Sequence, residues 1–269
     1  MTALFLAPTT LPEAPPLAFI EAAAAAGFDG VGLRLNASPG LPFHPVAGDP
    51  ALTREVKRRI AELDLKVLDI LSFYLQPDTE TGRFAAALEL GAELGARHAL
   101  VIGDDPDWGR MRDNLGRFCD LAAPFGIAAS IEFVPRRELR SLPQALRLMR
   151  EAGRSNAALC VDPLHVTRSG AAAADLRKLD PRLVPYVQLC DGLLEPGEPD
   201  PDGLGRAAPE RRCMPGEGML PLRDILAAVP AGIPISVEVP KENDAIAPVD
   251  WAKRAAAKSR AFLATGGRP

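Results

Sequence analysis

The sequence is poor in the features that mark several large classes of protein. Its four cysteines, Cys119, Cys160, Cys190 and Cys213, form no CxxC pair and no small-domain disulfide spacing, so reduced thiols in a reducing compartment are expected. No segment approaches the roughly 18 consecutive apolar residues of a membrane span. The opening MTALFLAPTT lacks the charged region that begins a signal peptide. A soluble, cytoplasmic protein is expected. Positive charge is not in excess: 31 Lys and Arg against 35 Asp and Glu give a net −4, which leaves no electrostatic footprint for nucleic acid. Neither a membrane nor a nucleic acid is therefore expected as a partner. No GxGxxG or Walker pattern occurs, and PGEG at 215 to 218 is too short to count as a phosphate loop. Small-molecule chemistry or a protein partner remains.

What is present is a repeat of strand and helix. Hydrophobic residues make up 47% of the 269-residue chain, enough for a sizeable core. Short β-like runs alternate with Ala- and Leu-rich helical stretches: ALFLAP (3 to 8), GVGLRL (30 to 35), KVLDIL (66 to 71), HALVIG (98 to 103), IAASIEF (127 to 133), ALCVD (158 to 162), VPYVQLC (184 to 190) and PISVEV (234 to 239). Eight strand–helix units in about 250 residues predict one (β/α)₈ barrel, a single α/β domain over 1 to 269, and no Gly/Ser linker divides it. Glycines in AAAAAGFDG, AELGARH and REAGRSN are placed to end helices. The Pro-, Gly- and charge-rich stretch at about 191 to 219 is predicted to be a long loop over the C-terminal face, where barrel enzymes keep their active sites.

Side chains alternate along a strand, and this assigns the chemistry. With Ile131 and Phe133 turned to the helices, Ser130 and Glu132 face the interior. By the same rule Cys160 and Asp162, then Tyr186, Gln188 and Cys190, then Ser236 and Glu238 point inward. Four consecutive strands thus bring three carboxylates and one carboxamide to one mouth. Three carboxylates in a semi-buried site repel one another, and a divalent cation resolves this. Glu132, Asp162, Gln188 and Glu238 form a ligand set for one ion. Oxygen donors favour Mn²⁺ or Mg²⁺, with Co²⁺ or Zn²⁺ as alternatives. Arg34 and Asp69 also reach interior depth, either as site residues or as a pair within the barrel. Cys160 and Cys190 are expected to be interior packing below Asp162 and Gln188, and Trp108 and Phe73 to be either pocket walls or core.

Six segments in order, FIEAAAAAGFDGVGLRL, EF at 132 to 133, VDPLH at 161 to 165, QLCDG at 188 to 192, PGEG and VEVP at 237 to 240, resemble the xylose isomerase-like TIM-barrel superfamily. The similarity is to its sugar phosphate isomerase/epimerase type, which includes tagatose and psicose 3-epimerases, hydroxypyruvate isomerase, inosose dehydratase and 3-dehydroshikimate dehydratase. The resemblance implies that Glu132, Asp162, Gln188 and Glu238 hold the metal. It also implies that His165 of the Asp-x-x-His step contacts substrate, and that Arg212, or its neighbour Arg211, is the Arg before the PGxG turn. Glu138 stands where the epimerases carry a second Glu, or is a solvated loop charge beside Arg136 and Arg137. Homodimers or homotetramers are common in such relatives.

Three carboxylates against one divalent ion leave a net −1, which a cationic Arg212 or His165 would balance while binding an oxyanion. The chemistry implied is proton abstraction next to a carbonyl, with Glu132 and Glu238 removing and returning the proton of a sugar or related polyhydroxy carbonyl compound. Isomerisation or epimerisation is the expected outcome. The alternative is a dehydratase or lyase in which His165 helps expel a hydroxyl, since Gln at position 188 occurs in some dehydratase-type members. A non-catalytic ligand-binding barrel would normally lose one of the metal carboxylates, and all three are present. An endonuclease IV-like nuclease needs many histidines, and only His44, His98 and His165 occur.

Overall fold

The alternating pattern folds as the period-2 rule requires: one face of each central strand packs on helices and the other fills a closed cylinder. The computed structural model describes residues 2–40, 42–193, 212–241 and 245–265. The strands are β1 (Leu4–Leu6), β2 (Gly30–Arg34), β3 (Lys66–Leu75), β4 (His98–Gly103), β5 (Ala128–Glu132), β6 (Ala157–Val161), β7 (Tyr186–Leu189), β8 (Asp191–Gly192), β9 (Arg212–Cys213) and β10 (Ile235–Val237). β1 to β7 and β10 close an all-parallel barrel in the order β1-β10-β7-β6-β5-β4-β3-β2. These are the eight strands expected from the sequence.

The helices are α1 (Pro16–Ala25), α2 (Pro50–Glu62), α3 (Ala85–Glu93), α4 (Trp108–Ala122), α5 (Leu142–Ala152), α6 (Pro163–Arg168), α7 (Ala173–Leu176), α8 (Leu222–Ala228) and α9 (Pro248–Thr265). Asp49, Asp107 and Asp162 cap α2, α4 and α6 by accepting from backbone N–H groups, the role a short carboxylate fills at a helix start. The three glycines expected to end helices, Gly27, Gly95 and Gly153, all take positive φ. Of the long loop expected at about 191 to 219, residues 194–211 lie outside the described residues. Its two ends pair as the antiparallel strands β8 and β9, with Gly192 opposite Arg212.

Two apolar clusters divide along the strand alternation. Ile131, Leu159, Val161, Val187, Leu189, Ile235 and Val237 join the layer between barrel and helices. Phe73 belongs to that layer too, its ring centroid 5.1 Å from those of Phe84 and Phe118; it is core. Trp108 donates to Glu151 and lies under Arg147 on the outer side of α4. Phe5, Leu68, Leu71, Leu100, Cys160 and Tyr186 plug the cylinder itself.

Polar side chains are threaded through that plug. Ser130 Oγ and His98 Nδ1 lie 3.2 Å apart, and burial pushes His98 down to about 4, so the imidazole is neutral. Asp69 is 2% exposed and fits only because β2 carries a glycine. A Cβ on Gly32 would collide with its Oδ1. Arg34 and Asp69 are not partners: Arg34 donates to the carbonyls of Pro12 and Pro42, while Asp69 faces Tyr186. Burial is the main cause that raises Asp69 to about 7, repulsion by Glu238 adds to it, and the Tyr186 phenol opposes it.

The unfolded chain releases the Asp69 proton near pH 4, and the folded chain only near 7. Between those values the folded state binds the extra proton, so this residue's contribution makes stability fall as pH rises from 4 to 7 and level off above. Asp69→Asn, which copies the neutral carboxyl, is expected to melt higher than the wild type at pH 8, by on the order of 2–4 kcal/mol of stability. That advantage should vanish at pH 4. Thermal unfolding at the two pH values checks this, and an equal effect at both would contradict it.

Candidate active site

Each functional side chain is placed by the end of a barrel strand or by the turn after it. Asp162 comes one residue after β6 and is the N-cap of α6, its Oδ1 accepting from Leu164 N at 2.7 Å and His165 N at 3.3 Å. The cap explains the Asp-x-x-His spacing. His165 sits three residues into the turn that its own cap starts, which brings its ring back over the barrel mouth. Its Nε2 lies 3.9 Å from Glu132 Oε1 at the end of β5.

Arg212, on β9, is 8% exposed and lies across the group. Its Nη1 is 2.5 Å from Asp162 Oδ2 and 2.8 Å from Cys190 Sγ. Its Nη2 is 3.4 Å from His165 Nε2 and 2.9 Å from Glu238 Oε2, the last outside hydrogen-bond geometry. Glu238 comes just after β10, and its Oε1 accepts from the Thr9 hydroxyl. Burial alone would raise Asp162. The charges of Arg212 and His165 and the hydrogen bonds from Arg212 and Leu164 N outweigh it and hold the carboxyl below its usual range.

The sequence-derived residues therefore divide. Glu132, Asp162, His165, Arg212 and Glu238 are buried and linked by the contacts above. Gln188 is buried on β7 with its Oε1 accepting from the Cys160 thiol at 3.3 Å. Glu138 is half-exposed and paired with Arg140, a loop charge at the surface. Cys190 departs from its expected place. It lies beyond β7, among the guanidinium and Asp162 contacts, because the chain leaves the strand at Leu189.

Thr9 and Asp191 were not singled out from the sequence. Asp191, the D of QLCDG, accepts from Gly192 N, Gly216 N and Leu220 N. It fastens the PGEG turn to the end of β7, and a Cβ on Gly218 would collide with its Oδ1. PGEG is thus a loop anchor, and the only hint of it is a buried-type carboxylate directly after a strand.

Donor atoms of Glu132, Asp162 and His165 lie within 4.8 Å of one another, all buried. Two carboxylate oxygens and one imidazole nitrogen are a donor set that a divalent metal accepts, and three buried carboxylates against one arginine leave negative charge for such an ion to balance. The residues fit.

A parallel (β/α)₈ barrel with acidic residues gathered at the C-terminal ends of its strands defines the class. The family model described as xylose isomerase-like TIM barrel matches residues 20–265, and the chain belongs to that family. No curated protein matches the sequence. Among solved structures, the chain resembles a xylose isomerase-like TIM barrel/4-hydroxyphenylpyruvate dioxygenase fusion protein at 21% identity and TM-score 0.77; the match covers 96% of this chain and 42% of that longer one. It also resembles IolI with a bound zinc atom (19%, TM-score 0.72, 99% and 98% covered). A third is the 3-keto-D-glucoside 4-epimerase YcjR from E. coli (15%, TM-score 0.73, 98% and 100% covered). Likeness at these identities establishes the shared fold. Among the described residues no helix is long and apolar enough to cross a membrane.

Asp191→Ala removes the acceptor of two buried N–H groups, those of Gly192 and Leu220, and of the more exposed Gly216 N–H. At about 1–3 kcal/mol for each buried orphan, the variant is expected to lose about 2 kcal/mol or more in urea unfolding. A loss below about 1 kcal/mol would show that the anchor is not structural.

Proposed function

We propose that the protein is a divalent-metal-dependent isomerase or epimerase of a sugar or related polyhydroxy carbonyl compound. The observation that carries this is the placement of Glu132 and Glu238 on well-separated strands of one mouth, with Asp162, His165 and Arg212 in contact between them. Two carboxylates that approach a bound carbon from different strands suit removal of a proton on one side and its return on the other. The YcjR likeness, to an enzyme whose name gives it a keto-glucoside, supports a carbohydrate-like substrate.

Glu132 and Asp162 are the core of the metal site, with His165 as third donor in this arrangement and Gln188 and Glu238 as the further ligands that the sequence suggests. Mn²⁺ or Mg²⁺ suits the oxygen donors, and the zinc in IolI supports a transition metal as the alternative. When bound, the ion supplies a Lewis acid that stabilises negative charge on the oxygens of a hydroxy-carbonyl substrate. Glu132 takes or returns the α-proton. Glu238 does the same from its strand, held by the Thr9 hydroxyl. Arg212 donates to substrate oxygens and offsets carboxylate charge.

Loss of water is the second outcome this site supports. In that outcome His165 is left off the metal, and its Nε2, 3.9 Å from Glu132 Oε1, is the proton donor for a leaving hydroxyl beside the base.

Incubation in D₂O with a panel of keto-sugars and 3-keto acids, read by NMR, is expected to place deuterium at an α-carbon with the hydroxyl kept. Deuterium with loss of water would identify a dehydratase instead. Glu132→Gln and Glu238→Gln should each lower turnover by about a hundredfold to ten-thousandfold with melting unchanged; activity kept in both would end the assignment. Metal analysis of the purified protein should give about one divalent ion per chain, absent from Asp162→Ala. A fully active metal-free preparation would refute the metal dependence.

A further inference from the structure

β10, the strand that leads to Glu238, ends at Val237, and the chain beyond it is held by the turn that follows β1. Backbone pairing runs to Leu6 opposite Val237, and Ala7 N then donates to Val237 O at 3.0 Å. In the next turn, Pro8–Thr10, Thr10 is fully buried. Its Oγ1 donates to Val237 O at 2.8 Å and accepts from Val239 N at 3.2 Å. One hydroxyl thus bonds the residues on both sides of Glu238. Glu238 N donates to Leu189 O at 3.0 Å, and Trp251 Nε1 donates to Val239 O at 2.7 Å. The backbone around position 238 is therefore fixed by β7, by the turn and by α9.

Thr9 does for the carboxylate what Thr10 does for the backbone. Its hydroxyl donates to Glu238 Oε1, and a donor on one oxygen restricts how the carboxylate can turn. The branched Cβ of threonine limits χ1 and so limits where that hydroxyl can point. With Oε1 taken, Oε2 is the oxygen turned toward the rest of the site. It is buried and makes no hydrogen bond among the described residues; its ion-pair neighbour is Arg212 Nη2 at 2.9 Å. Burying a carboxylate oxygen without a hydrogen bond costs free energy unless a cation or a proton completes it. Thr9 itself is only partly buried, so replacing it disturbs the core less than replacing Thr10.

We propose that Thr9 is a positioning residue of the metal site: its hydroxyl orients the Glu238 carboxylate so that Oε2 is the oxygen presented to the ion. This rests on the function proposed above and deepens it. Partners that hold a metal-binding carboxylate by a hydrogen bond fix its orientation without touching the ion, and losing one costs about tenfold to a hundredfold in metal affinity. The two adjacent threonines divide the work, Thr10 on the backbone of the strand end and Thr9 on its side chain.

Metal binding is measured without turnover, so that failure here stays separate from failure of the reaction chemistry, which the D₂O assay tests. Mn²⁺ is titrated by calorimetry or EPR into chelator-treated wild type, Thr9→Val, Thr9→Ser, Glu238→Ala and the double variant Thr9→Val/Glu238→Ala, each first checked for its melting transition. Thr9→Val, which keeps the shape and removes the hydroxyl, is expected to bind Mn²⁺ about tenfold to a hundredfold more weakly than the wild type. Thr9→Ser, which keeps the hydroxyl, is expected to recover most of that loss. With Glu238 replaced by Ala there is no carboxylate to orient, and Thr9→Val is expected to change the affinity by no more than about twofold. If Thr9→Val does not fold, Thr9→Ala is read in its place; if Glu238→Ala binds too weakly to read, the Val and Ser comparison decides alone. Wild-type affinity in Thr9→Val, no recovery in Thr9→Ser, or an equal loss with and without Glu238 would each overturn the role of Thr9. A wild type that binds no Mn²⁺ would overturn the metal site and this role with it.

Discussion

The site depends on keeping three carboxylates together where there is little water to screen them. Two unit charges 4 Å apart interact by about 4 kcal/mol at an effective dielectric of 20, and Glu132, Asp162 and Glu238 are each 5% exposed or less. The barrel strands bring these groups together but contribute no cation among them. Compensation comes from the segments beyond the strand ends: backbone N–H groups at the start of α6, the imidazole one turn on, and the guanidinium that β9 delivers. The carboxylate site is therefore a joint product of a rigid cylinder and the loops that return over it.

That dependence explains the anchoring of the loop after β7. Arg212 is useful only if its strand is held against Gly192, and the pairing of β8 with β9 is two residues long. So short a ladder is weak alone. Asp191 strengthens it by accepting from three backbone N–H groups, two of them buried, and Gly218 gives the carboxylate the space to do so. The stability of the loop closure and the electrostatics of the site are thus coupled through adjacent residues, Asp191 in the anchor and Gly192 opposite Arg212.

The barrel and its inward carboxylates were legible because parallel strands repeat every two residues and the apolar positions name the outer face. Ile131, Val161, Leu189 and Val237 fix where Glu132, Asp162, Gln188 and Glu238 must point. The parts that were not legible come from segments without a period. Thr9 reaches Glu238 because the loop after β1 turns back over the barrel, and Cys190 leaves its expected layer because β7 ends one residue earlier. Arg34 was visible as an interior candidate. Its anchoring to two proline carbonyls is a property of loops whose course no alternation rule predicts. Glu138 shows the reverse case, a residue with the right spacing whose loop keeps it at the surface with Arg140.

Gln188 shows why one of the four inward groups is neutral. A fourth carboxylate there would add a charge to a site that already holds three against Arg212. The amide adds a dipole without that cost. Its oxygen faces the Cys160 thiol, and burial together with the nearby Glu132 and Asp162 charges keeps that thiol well above its usual range and so protonated. Cys160 can then act only as a donor toward the carboxamide. A carbonyl oxygen has two lone pairs, so accepting from the thiol leaves one that can face a cation. The thiol beneath the site thus takes part in how the amide is aimed, and a residue first understood as interior filling supports the neutral ligand proposed at position 188.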